Sequence, residues 1–213
     1  MVILMANNDN VMKTGTTTVG LIGKDVIVLA ADKRATAGNF IAGKNMQKVK
    51  EIGSYMGVTT AGAVSTIQLM VKLLQAELQL KDIRTDRNST VKEAANLLAG
   101  MTLSTPGVSH FLLGGYDVNG PDLYEIYADG SLTDVKSEGG FIASGSGSMF
   151  VYGLLEDKYK PDLSEKETVD LAISAVQTAV KRDSASGQGV DVLVIGKEGI
   201  KDKFSLKMDS NFQ

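Results

Sequence analysis

The sequence predicts an α+β domain of packed antiparallel sheets covered by helices. Three observations carry that reading. Strand-like and helix-like segments come in clusters, not in strict βαβ alternation: strands, two helices, strands, two helices, strands. The first two strands are separated only by GKD, residues 23–25, a short turn that makes an antiparallel hairpin. The 213 residues show no internal repeat, low-complexity tract or linker, so they form one domain with room for a sizeable core.

Each element has its own signal. TTTVGLI and VIVLAAD flank the GKD turn as two β runs. Reading GKD as a three-residue loop sets Ile22 opposite Val26, so paired numbers sum to 48 and Thr16 faces Asp32. A register one residue different sets Thr16 opposite Lys33. SYMGVTTAG is another strand ending in small residues. VSTIQLMVKLLQAELQL repeats apolar residues at helical spacing, and they spread beyond one narrow stripe. NSTVKEAANLLAGM is a second helix, opened by a Thr90–Glu93 capping-box pattern. HFLLGGYD, DLYEIYAD and FIASGSG read as a β meander with turns at NGPD and ADGS. SMFVYGLLEDKY and SEKETVDLAISAVQTAVKRD are helices, the second with a Ser164–Glu167 capping box, and VDVLVIG and KFSLK return to strand.

Composition excludes several functions. A net charge of −3 offers no basic footprint for nucleic acid or anionic membrane. No apolar run is long enough to span a bilayer. The opening MVILMANNDN has only a four-residue apolar run and no basic segment before it, unlike a secretory signal, so a cytoplasmic location is expected. The absence of cysteine removes disulfides, cysteine nucleophiles and thiolate metal sites. A Ser–His–Asp triad would have to use the one histidine, His110, which sits in a strand-like run with no G-x-S-x-G nearby and reads as a strand histidine. GNFIAGKN, residues 38–45, approaches a P-loop but has Asn45 where magnesium chemistry needs Ser or Thr. GSGSMF lacks the third glycine of a dinucleotide loop and comes too late in the chain.

The chemistry is concentrated at the start of the first strand. KTGTTTVG sets Thr16 directly after Gly15, behind a short polar leader. Either this is an ordinary edge strand or the leader is made to come off. A threonine hydroxyl needs a base, and no histidine is placed to serve. Cutting Gly15–Thr16 would create an α-amine on the nucleophile itself, with a pKa of about 7.7–8.0 suited to neutral pH. Gly15 gives the backbone freedom to bring the Thr16 hydroxyl onto its own preceding carbonyl. In either register Thr16 lies beside the acidic–basic run DKR, which is otherwise an ordinary surface pair at a strand end.

GTTTVG, AADKRAT, KNMQKV, TTAG, SGSGS and KRDSASG, in that order from Gly15 to about Gly196, together resemble an archaeal-type proteasome β subunit of the N-terminal nucleophile hydrolase superfamily. The resemblance implies a four-layer αββα sandwich, a propeptide over 1–15 and a single peptidase domain over 16–213. It implies that Thr16 is the nucleophile of a threonine endopeptidase, freed by autocatalytic cleavage of Gly15–Thr16. Lys48 matches the catalytic lysine and Asp32 the acid that holds it, although Lys48 in QKVKE could also sit on a solvated edge. Ser146, Asp183 and Ser186 match the residues that hydrogen-bond around the amine; alone they read as a Gly/Ser turn and a helix C-terminus. Gly62 matches the oxyanion donor. Ala35 and Thr36 match positions along the substrate strand, and Met46, Thr60 and Val64 join the substrate-binding set. Ser65, Thr66 and Ile67 depart from the Gly-Asp-Ala-like step usual after TTAG, which leaves cleavage preference open. The implied partners are proteasome α subunits, other β subunits in heptameric rings of an α7β7β7α7 core, unfolded protein substrates and, indirectly, an ATP-dependent unfoldase cap. No cofactor, metal, nucleic acid or membrane is implied. A catalytically silent subunit, a bacterial two-ring peptidase and a nucleotide-binding protein are weaker alternatives.

Overall fold

The computed structural model describes residues 15–105 and 109–208. Most of the expected leader, residues 1–14, therefore lies outside the described residues, as do 106–108 and 209–213. In chain order the strands are β1 (Thr18–Ile22), β2 (Val26–Asp32), β3 (Ala35–Ala37), β4 (Phe40–Gly43), β5 (Val49–Glu51) and β6 (Met56–Gly62). Helices α1 (Val64–Thr85) and α2 (Val91–Leu103) follow, then β7 (Ser109–Asp117), β8 (Gly120–Ile126), β9 (Leu132–Asp134) and β10 (Phe141–Ser144). Helices α3 (Ser148–Lys158) and α4 (Glu165–Val180) precede β11 (Val190–Gly196) and β12 (Gly199–Leu206).

Two five-stranded antiparallel sheets form the centre, ordered β10-β1-β2-β11-β12 and β5-β6-β7-β8-β9, with a separate β3–β4 hairpin. Helices α3 and α4 cover the first sheet and α1 and α2 the second, giving the αββα sandwich. The layering explains the strand sequences. Along β2, Val26, Val28 and Ala30 pack under the helices while Ile27, Leu29 and Ala31 fill the space between the sheets. A strand buried on both faces has no use for polar alternation, so VIVLAA reads as a continuous apolar run. Full burial of a side chain such as Leu29 contributes about 1.5–3 kcal/mol.

Helices α2 and α4 both start on complete capping boxes, Thr90 with Glu93 and Ser164 with Glu167. Helix α1 leaves Leu69, Leu73, Leu80 and Ile83 exposed along one side. GNFIAG is the tip and return strand of the β3–β4 hairpin, with Gly38 at φ 59, and no helix follows it.

Two expectations need correction. The β1–β2 turn is a two-residue loop, Lys24–Asp25, closed by Gly23 N–H donating to Val26 O at 2.8 Å. Pairs such as Ile22–Ile27 and Thr18–Ala31 sum to 49, the second of the two registers considered, so Asp32 lies across from Thr17 and not from Thr16. The loop is one residue shorter than GKD because Gly23 still pairs with Val26, leaving Lys24 and Asp25, neither at positive φ, to make the reversal. Likewise, FIAS does not extend the meander. The short β9 completes that sheet, and β10 crosses over to pair with β1. Strands β3, β4, β5 and β9 carry too few residues to show a period.

Candidate active site

One end of the sandwich gathers the start of β1, the end of β2, the residues before β5, the ends of β6 and β10, and the 181–189 loop before β11. At that end the Thr16 hydroxyl donates to Gly15 O at 2.6 Å, against the carbonyl of its own preceding peptide bond. Lys48 Nζ reaches the same Gly15 oxygen at 3.4 Å and donates to Asp32 Oδ1 at 2.7 Å. Both members of that pair are buried. Burial pushes the Lys48 ammonium below the ordinary lysine range, and the neighbouring Asp32 carboxylate pulls it partly back.

Four N–H donors converge on Asp32. Oδ1 takes Thr17 N at 2.9 Å besides Lys48, and Oδ2 takes Arg34 N at 3.0 Å and Gly187 N at 2.9 Å. The same atoms that satisfy the carboxylate fix β2 against the 181–189 loop.

A second branch starts at the Thr16 amide. Thr16 N donates to Ser146 Oγ at 3.2 Å, and Ser146 Oγ donates to Asp183 Oδ2 at 2.7 Å. Ser186 Oγ donates to that carboxylate at 2.6 Å and lies 2.7 Å from Thr17 Oγ1. Gly147 N donates to Thr16 O at 3.3 Å. A single network thus joins Thr16, Asp32, Lys48, Ser146, Asp183 and Ser186, which the chain spreads over 171 positions, 16 to 186.

The remaining expected residues surround this network. Gly62 ends β6 with φ 121, a conformation that favours glycine, and pairs with Ser109 of β7. Thr60 holds the Lys48 carbonyl through its N–H at 3.0 Å and its hydroxyl at 3.3 Å. Thr36 Oγ1 donates to Ala185 O at 2.9 Å, and Met46 N donates to Lys33 O at 2.9 Å. Ala35 opens β3 half-buried, and Val64 opens α1 exposed. Neither of these two, nor Gly62, has a hydrogen bond into the network among the described residues.

Sequence reasoning missed Thr17, Arg34, Ala185 and Gly187. Thr17 is the joint between the two branches. Its signal was present in the run of three threonines, since neighbouring strand residues point to opposite faces. Arg34 donates to Ser184 O at 2.8 Å, and its guanidinium lies against Gly187, where a Cβ would collide with it. A Cβ on Gly15 would overlap Ala185 Cβ, so the residue before Thr16 is held to glycine by packing.

The family model described as Proteasome subunit matches residues 12–195. This chain belongs to the proteasome subunit family. The proteasome-family match spans both branches of the network. The chain is 44% identical over 199 residues to the proteasome subunit beta of Methanosarcina barkeri, covering 92% of each chain. It is 44% identical over 195 residues to that of Archaeoglobus profundus, covering 90% of this chain and 88% of the relative. It is 40% identical over 200 residues to proteasome subunit beta 2 of Aeropyrum pernix, covering 92% and 89%. Among the described residues, no helix of this family member is long and apolar enough to cross a membrane.

Proposed function

We propose that this chain is a β-type subunit of the proteasome core and works as a threonine endopeptidase with Thr16 as its nucleophile. The observation that carries this is the Thr16 hydroxyl lying 2.6 Å from the Gly15 carbonyl oxygen, beside the buried Lys48–Asp32 pair. In maturation, Thr16 Oγ1 adds to the Gly15 carbonyl carbon and its proton passes to Lys48. That proton is then returned to the Thr16 nitrogen as the C–N bond breaks, which converts the amide to an ester. Water then hydrolyses the ester, releasing residues 1–15 with a carboxylate on Gly15 and leaving residues 16–213 with a free amine on Thr16.

The same attack on a substrate carbonyl breaks the peptide bond, the departing amine takes up the hydroxyl proton, and the acyl-enzyme ester is hydrolysed by water to a carboxylate and the free Thr16 hydroxyl. Burial lowers the Lys48 pKa and so raises the share of neutral amine, the form able to take the hydroxyl proton. Asp32 holds Lys48, while Ser146, Asp183 and Ser186 hold the new amine. The Gly62 N–H stabilises the oxyanion. A peptide lies extended along Ala35, Thr36, Met46, Thr60 and Val64 and pairs through its backbone.

The partners follow from the same reading: α subunits and further β subunits in heptameric rings, unfolded polypeptides as substrates, an unfoldase cap acting through the α ring, and a cytoplasmic setting. The exposed Leu69, Leu73, Leu80 and Ile83 of α1 support burial against neighbours in such a ring. The test is coexpression with an α-type subunit, followed by intact mass and hydrolysis of a fluorogenic peptide. Wild type is expected to begin at Thr16 and cleave the peptide, and Thr16→Ala to keep its leader and be inactive. Wild-type turnover by Thr16→Ala, or an active enzyme that begins elsewhere, would overturn the proposal.

A further inference from the structure

His110 is the only histidine of the chain, and the chemistry above does not use it. It lies on β7 opposite Ala61 of β6, next to the Ser109–Gly62 pair. Its Nδ1 is 2.9 Å from Ser144 Oγ, at the end of β10 on the other sheet. Its Nε2 is 2.8 Å from Glu125 Oε1 on β8, at ion-pair distance but bent away from hydrogen-bond alignment. The Tyr127 ring lies 5.1 Å from the imidazole. The Tyr127 phenol is pushed up from its ordinary value, first by its hydrogen bond to Glu125 and then by burial. Ser144 and Glu125 are 3% and 4% exposed. One imidazole therefore bridges the two sheets at the end where the catalytic network sits.

Ser144 leads directly into the grip on Thr16. It pairs with Thr18 of β1. Gly145 follows with φ 91, and a Cβ there would overlap Thr16 O. Ser146 takes the Thr16 N–H, and Gly147 N donates to Thr16 O. The turn after Ser144 thus holds the nucleophile's backbone on both its N–H and C=O sides.

We propose that His110 is a positioning residue for the hydrolytic reaction, fixing the Ser144–Gly147 turn beneath Thr16 with a hold that depends on its protonation. The inference rests on the reading of Thr16 as nucleophile. In the neutral ring that carries its proton on Nε2, Nδ1 accepts from the Ser144 hydroxyl. When the ring takes a second proton, Nδ1–H donates and Ser144 must accept. The Ser144 proton then loses its acceptor in a buried place, which is costly. The titratable groups around the ring are Glu125 on β8 and Tyr127 just beyond it, with Tyr152 of α3 close to Glu125. Strand β6 presents Ala61 and β10 presents Ser144. The hold is therefore weaker wherever the ring carries the second proton, which acid favours.

The test measures kcat and KM for a peptide on the assembled particle between about pH 5 and 9. The chains compared are wild type, His110→Gln and His110→Ala. A glutamine carboxamide can accept from Ser144 and donate toward Glu125 at every pH. His110→Gln is expected to stay within about twofold of wild type on the alkaline side, and the ratio of its kcat to that of wild type to rise about 3- to 10-fold toward the acid side. His110→Ala is expected to lose about 3- to 10-fold in kcat throughout with KM unchanged. A His110→Gln ratio that is flat with pH, or a His110→Ala enzyme equal to wild type, overturns the proposal. If His110→Ala fails to assemble, the His110→Gln ratio decides alone. Turnover by Thr16→Ala would instead sink the nucleophile reading. An inactive Thr16→Ala with a flat His110→Gln ratio removes only the role of His110.

Discussion

Gly15→Ala is the sharpest probe of the proposed self-cleavage. The added Cβ would overlap Ala185 Cβ outright and sit 2.9 Å from the Ala185 backbone and 3.1 Å from Ser146 Oγ. Ordinary van der Waals separation starts at 3.4 Å, so the backbone approach stays too close even once the Cβ overlap is relieved. Overpacking of this kind costs about 1–3 kcal/mol. Relief must come from moving Gly15 or the 181–189 loop by about an ångström, and a shift of that size costs about 10²-fold in rate. Gly15 carries the carbonyl that Thr16 and Lys48 approach at 2.6 and 3.4 Å, so the cost should fall on self-cleavage. Ala185→Gly in the same chain removes the overlapping Cβ but leaves the close backbone approach, and should restore about tenfold. The assay is a time course of leader loss by intact mass in the coexpressed complex. Under the proposed maturation the mature chain lacks residue 15, so any Gly15→Ala that does mature should cleave peptides at the wild-type rate. Maturation of Gly15→Ala at the wild-type rate refutes the reasoning. Failure of Ala185→Gly to help an assembled particle shows that the collision is not the cause.

Other outcomes follow from the network. Lys48→Ala should lose at least about 10³-fold in turnover. It should also melt earlier, by up to about 3 kcal/mol, because it strands a buried carboxylate; Lys48→Arg should rescue little, since a planar guanidinium cannot replace a compact ammonium. Near-normal peptide cleavage by either assembled variant would return Lys48 to a structural role. Asp32→Asn places an NH2 against two N–H donors, so it should cost about 2–4 kcal/mol of stability as well as turnover; an unchanged melting curve would contradict the four-donor arrangement. Glu93→Gln removes the carboxylate that caps α2 and pairs with Arg87 and Lys81, at a cost of about 0.5–1 kcal/mol. Arg87 first and then Lys81 hold that carboxyl far below the usual carboxylate range. A depressed folded-state value stabilises above the unfolded 4.5 and fades as pH falls below it, so wild type and Glu93→Gln should converge in acid melts. A gap that stays constant with pH would remove the ionic part of the argument.

Much of this protein was legible in the chain because the responsible interactions are local or periodic. The capping boxes of α2 and α4 join residues three apart, so Thr90–Glu93 and Ser164–Glu167 could be read directly. The order of strand and helix clusters carried the layered architecture, since apolar periodicity reports which face of an element is covered. The ordered motifs brought together Thr16, Asp32 and Lys48. The tertiary structure decided what depends on partners distant in sequence. Whether the β1–β2 pairs sum to 48 or 49 turned on one residue of loop, and both sums fit an apolar strand buried on its two faces. The placement of β10 beside β1 rests on backbone bonds to residues more than a hundred positions earlier, which FIAS does not announce. Thr17 joins the two branches of the network only because Ser186, 169 positions away, comes within 2.7 Å of its hydroxyl. The demand for glycine at position 15 comes from Ala185 and not from turn geometry. His110 and Ser144 look unrelated along the chain, and they meet only when two sheets pack face to face. Such meetings are set by the packing of whole layers, which the local backbone and side-chain preferences at either end do not contain.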